Sequence, residues 1–131
     1  MFSNLRKSVS QHRIVFLMAF YISSVAIEYL ATTPLQIKPI QNTWDKANHC
    51  LAFLVLYLTL SLGYPKLNTL KKFGLLLALG VQIEIVQSFL PYREASFGDV
   101  LADSIGIILG MLIVKGITLI WVLFLRTQEK I

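Results

Sequence analysis

The 131 residues are 56% hydrophobic and 15% charged, with a formal net charge of +5 and a mean hydropathy of +0.68. A soluble domain of this size needs far more polar surface over its core. The basic residues form no patch interleaved with aromatics, which argues against nucleic acid as a partner, and the lone Cys50 excludes an intrachain disulfide.

A membrane-spanning helix needs about 20 mostly apolar residues, and four stretches come close: 14–31, 47–63, 73–90 and 100–125. They predict an all-α, integral-membrane four-helix bundle that fills residues 1–131 as a single domain. Ahead of the first span stand Arg6 and Lys7, and Ser24-Val25-Ala26 lies within it, a pattern shared with cleavable secretory signals. The apolar run continues past that point and is long enough to span, so an uncleaved first helix is expected. The second span ends at Tyr64-Pro65 and the third at Pro91. All four prolines (Pro34, Pro39, Pro65 and Pro91) fall in connections, where a missing N–H costs nothing. Trp44, Tyr64, Tyr92 and Trp121 read as interfacial anchors and Phe53 as core.

Lys and Arg set the expected orientation. Arg6, Lys7 and Arg13 precede the first span, Lys66, Lys71 and Lys72 join the second to the third, and Arg126 and Lys130 close the chain. Against these eight, the other two connections hold only Lys38, Lys46 and Arg93. Both termini are therefore expected on the cytoplasmic side of the inner (cytoplasmic) membrane. Lys115, inside the fourth span, can snorkel towards the same surface.

In that orientation six of the seven acids fall in the outer half: Glu28, Asp45, Glu84, Glu94, Asp99 and Asp103. Ionisable groups within a span are costly unless they face the bundle interior, a partner or water. Helical spacing lets them share faces. Asp45 and His49 are i, i+4 on the second helix, Glu84 and Gln87 are i, i+3 on the third, and Asp99 and Asp103 are i, i+4 on the fourth. Glu84 lies about 10 Å below Pro91 along a helix, where it is expected either to be protonated or to have a cationic partner, with Lys46, His49 and Arg93 the candidates. A structural ion pair pinning the third helix to the second is the plainer explanation of Glu84 alone, but it does not explain the whole constellation. Asp99 also reads as a helix N-cap, and Glu28 either joins the site or faces headgroups. Gly106 and Gly110 form a GxxxG that suits close helix packing inside the bundle.

These residues carry a resemblance. Asp45-Lys46-Ala47-Asn48-His49, followed by Phe53, resembles the DKxxH segment of the VanZ-like membrane family. Glu84-Ile85-Val86-Gln87, then Pro91, Arg93, Ser96, Asp99, Gly106 and Gly110, resembles that family's second signature. At position 103 the family usually has Asn, and here it is Asp103. The resemblance implies a cell-envelope protein linked to low-level resistance to the glycopeptide teicoplanin, by a route distinct from remaking the peptidoglycan terminus.

Two kinds of chemistry fit. In the first, the outer cluster (Asp45, Lys46, His49, Glu84, Gln87, Arg93, Ser96, Asp99 and Asp103) binds a membrane lipid, an envelope lipid precursor or a glycopeptide. Lys46 and Arg93 would then grip an anionic headgroup. In the second, Glu84 or His49 is the catalytic acid or base of a membrane-embedded enzyme acting on a lipid-linked substrate. Asp45, His49, Glu84 and Asp99 also form a donor set for a divalent cation. The six outer acids exceed Lys38, Lys46 and Arg93, an excess that favours a cation over a bare phosphate. No Walker loop, G-x-S-x-G elbow or HExxH is present.

Overall fold

The computed structural model describes residues 2–34 and 45–130. The side chains of residues 2–6, 9 and 45 lie outside that description, as does the connection that holds Lys38 and Trp44. The described chain is helical, without strands: α1 (Phe2–Thr32), α2 (Asp45–Gly63), α3 (Thr69–Ser88) and α4 (Phe97–Gln128). Three of the four are long and apolar enough to cross a membrane, over Ser10–Thr32, Lys46–Gly63 and Phe97–Gln128. α3 falls short on its own because Lys71, Lys72 and Glu84 share its 20 residues. Packed against the other three helices, it completes the bundle. The protein is a helical membrane protein.

Each end has a local cause. Asn68 caps α3 by accepting the N–H of Lys71 at 2.8 Å, so the helix begins four residues before the expected span and takes in both lysines. Lys72 is thereby buried in the first turn, its ammonium 5.7 Å from the Tyr57 ring centroid, where a cation is attracted to the aromatic face. α3 ends at Ser88, before the Pro91 that cannot continue it. Ser96 is the N-cap of α4, its hydroxyl accepting the N–H of Gly98 at 3.1 Å. That corrects the reading of Asp99 as the cap: Asp99 stands in the first turn.

α2 is the central helix. Phe53, Leu56, Tyr57 and Leu60 from α2 form the core with Leu76 and Ile83 of α3 and Ile107 of α4. α2 packs most extensively against α4, and the two glycines explain the close approach. A Cβ on Gly106 would run into the Cys50 carbonyl, and one on Gly110 would sit 2.9 Å from Tyr57. The GxxxG thus serves contact within the bundle, as its position beside the polar face suggests.

α1 packs Phe20, Ile27 and Ala31 against this core and is also held by polar clamps towards each end of the bundle. At one end Arg13 Nε donates to the Gly63 carbonyl at 3.0 Å, and the Tyr21 and Tyr64 hydroxyls share a hydrogen bond of 2.6 Å. At the other, the last carbonyls of α1, which have no partner within a helix, are taken by side chains from the end of α3 and the connection after it. Arg93 Nη2 donates to Leu30 O (2.8 Å) and Thr33 O (3.0 Å), Gln87 Nε2 to Ala31 O (3.0 Å) and the Tyr92 hydroxyl to Thr32 O (2.7 Å). These contacts bring the C-termini of α1 and α3 to one end, where α2 and α4 also begin, with Lys46 against Asp99. α2 and α4 therefore run parallel. Beyond the end of α2, the apolar stretch from Ile117 to Phe124 continues α4 with its large side chains exposed.

Candidate polar site at one end of the bundle

The polar residues meet where α2 and α4 begin. Asp99 and Asp103, one turn apart on α4, are almost fully buried, at 4% and 0% exposure. Asp103 accepts the Nδ1–H of His49 at 2.9 Å, which leaves Nε2 turned towards Asp99 Oδ2 at 3.9 Å. Lys46, one turn earlier on α2, reaches Asp99 Oδ1 at 3.4 Å with its own side chain 61% exposed. Exposed lysine, half-buried imidazole and buried carboxylates thus descend in order from the surface.

Two glycines make the arrangement possible. A Cβ on Gly80 would come within 2.7 Å of Asp103 Oδ2, and one on Gly98 within 3.0 Å of Lys46 Cε. Gly80 lies one turn before Glu84 on the same face of α3, a spacing that signals its role once the site is known. Sequence reasoning passed over both.

Glu84 enters from α3. Its Oε2 accepts the backbone N–H of Ser96 at 2.8 Å, while Oε1 is buried without a hydrogen-bond partner among the described residues. Asp103 Oδ2 is in the same condition. Glu84 forms no ion pair with Lys46, His49 or Arg93 among the described residues. One of its oxygens nonetheless lies within 4.8 Å of a ring nitrogen of His49 and an oxygen of Asp99, which are themselves within that distance of each other. The N-termini of α2 and α4 each add about half a positive charge at this end, but three carboxylates facing one ammonium still carry an excess of negative charge.

Not every expected member joins. Arg93 and Gln87 are engaged with the orphan carbonyls of α1, so Arg93 is not a fork held ready for phosphate. Ser96 contributes its cap and its N–H. Glu28 accepts a hydrogen bond from Gln82 at 3.0 Å and stands apart from the cluster, and Glu94 is exposed in the connection. The Asp45 side chain lies outside the described residues. What gathers is Lys46, His49, Glu84, Asp99 and Asp103. A family model described as VanZ/LLP1 matches residues 2–125. No curated protein and no solved structure matches the chain.

Proposed function

The chain belongs to the VanZ/LLP1 family, and from that premise we propose that it binds the polar headgroup of an envelope lipid or lipid-linked precursor. Its place in this reading is the cytoplasmic membrane, with the cluster at the outer leaflet. By holding such a molecule it contributes to tolerance of teicoplanin-type glycopeptides. The observation that carries the reading is the layering of exposed Lys46 and half-buried His49 over buried Asp99 and Asp103. A purely structural ion pair needs neither the exposed cation nor two orphaned carboxylate oxygens beneath it.

A second reading draws on the 2.9 Å contact between His49 and Asp103. A carboxylate that orients an imidazole is the arrangement of a general base, so turnover of the bound lipid-linked molecule is the alternative to holding it.

The test is teicoplanin susceptibility of a host that depends on this protein, carrying Lys46→Ala, His49→Ala or Asp99→Asn, with membrane levels verified. Tolerance should fall to that of the deletion strain in His49→Ala and Asp99→Asn, and part of the way in Lys46→Ala. Mass spectrometry of the lipid-linked precursors separates the two readings: a changed precursor supports turnover, an unchanged one supports binding. Full tolerance in all three variants at normal protein levels would sink both.

A further inference from the structure

We infer that His49, Glu84 and Asp99 bind a divalent transition-metal cation, with Asp103 as the residue that orients the imidazole. The inference rests on the cluster being a ligand site and names what completes it. A ring nitrogen of His49 and one carboxylate oxygen each from Glu84 and Asp99 lie within 4.8 Å of one another. Metal bonds of about 2.0–2.2 Å would draw such donors to roughly 3–4 Å apart, a small contraction for three side chains on three different helices.

Two observations besides the acidic cluster point to a cation. Glu84 is 7% exposed, and its Oε1 is buried without a hydrogen-bond partner among the described residues. A carboxylate in that state is costly to bury unless a positive group meets it. The second is the pairing of His49 Nδ1 with Asp103 at 2.9 Å. Carboxylate–histidine pairs are the usual support of a metal-bound imidazole, because they fix the tautomer and direct Nε2 to the ion. Here Nε2 is directed to the side where Asp99 lies.

The donor set favours a particular class of ion. One imidazole with two carboxylates suits Zn²⁺ or Mn²⁺ better than Ca²⁺ or Mg²⁺, which prefer all-oxygen shells. The cation also resolves a difficulty for an anionic headgroup. With Arg93 occupied on α1, Lys46 is the one described cation side chain paired to the cluster, and a phosphate would otherwise meet three carboxylates. A metal between them turns that repulsion into a bridge.

The experiment uses the full chain, tag-free, purified in detergent, stripped with chelator and equilibrated by dialysis with Zn²⁺ or Mn²⁺ before elemental analysis. One equivalent per chain is expected. His49→Ala and Asp99→Asn should weaken binding by roughly 100-fold or more, and Asp103→Asn by about 10–100-fold with the stoichiometry kept. Lys46→Ala should bind more tightly than wild type, because a repelling charge is gone; a structural Lys46–Asp99 pair predicts no gain. Circular dichroism identifies any variant that fails to fold, and the comparison then falls to Asp103→Asn and Lys46→Ala. Absence of stoichiometric binding to the folded protein, or equal binding by wild type and His49→Ala, overturns the inference. If metal does not bind but tolerance still depends on His49 and Asp99, the headgroup reading survives without it. If metal binds and no site variant alters tolerance, the metal survives and the headgroup reading fails.

Discussion

Glu84 Oε2 accepts the backbone N–H of Ser96 at 2.8 Å, so a carboxylate from α3 stands where the third residue of α4 stands in a capping box. In that motif the acid three residues after the cap reaches back to the cap's own N–H. Here that acid is Asp99, and with the Ser96 N–H already satisfied its carboxylate turns instead to Lys46 and His49. A helix start and a polar site are thereby built from the same three residues.

The substitution series at Glu84 follows from this exchange. Glu84→Gln keeps an acceptor for Ser96 and should fold, whereas Glu84→Ala leaves the N–H without its partner and should cost about 1–3 kcal/mol. Ser96→Ala should cost about 1 kcal/mol through loss of the cap. Unfolding in mixed micelles measures both, and wild-type stability for Glu84→Ala would show that water replaces the bond without loss.

Arg93 should behave as a clamp on α1. Arg93→Ala releases the Leu30 and Thr33 carbonyls, at about 1.5–3 kcal/mol for hydrogen bonds from a charged donor. Hydrogen exchange should quicken across the last turn of α1 while residues 46–60 keep their protection. Metal binding by the folded variant should match wild type. Loss of metal with α1 intact would return Arg93 to the site.

The glycines divide into two classes. Gly106→Ala and Gly110→Ala push α4 away from Cys50 and Tyr57 and should cost about 1–3 kcal/mol or more. Gly74→Ala and Gly116→Ala meet nothing within 4 Å and should stabilise their helices by about 0.5–1 kcal/mol. Equal effects in the two pairs would contradict the packing of α2 on α4.

Orientation is tested by labelling. In a Cys50→Ala background, Gln41→Cys and Glu94→Cys should react with an impermeant thiol reagent added outside, and Lys71→Cys should not. A reporter fused after Ile131 should be active only in its cytoplasmic form. Labelling at position 71 would move the cluster to the inner leaflet.

The helices were legible because apolar runs bounded by proline and charge can be read residue by residue, and Phe53 was recognisable as core on the same ground. That Asp99 and Asp103 share a face was legible too, since i, i+4 spacing puts groups on one side of a helix; their meeting with His49 belongs to the packing of α2 on α4. The bonds made by Arg93, Gln87 and Tyr92 were not. Orphan carbonyls at a helix end attract whatever donor the tertiary structure brings near, and no spacing within one helix encodes that. Nor does the sequence around Ser96 reveal that its N–H is taken by a residue twelve positions away. The inclusion of Lys71 and Lys72 in α3 turned on Asn68, a cap hidden among residues assigned to a connection.

The unequal lengths of the helices have a consequence for the bilayer. α4 has 32 residues and α2 has 19, rods of about 48 Å and 28 Å that start together at the polar cluster. Their difference therefore falls wholly at the opposite end, where Ile117 to Phe124 continue past α2. Lipid on the α4 side meets a tall apolar wall, and lipid on the α2 side a short one. Any stretch or tilt by which a bilayer matches the two lengths, at fractions of a kcal/mol per Å, therefore belongs to the end away from His49.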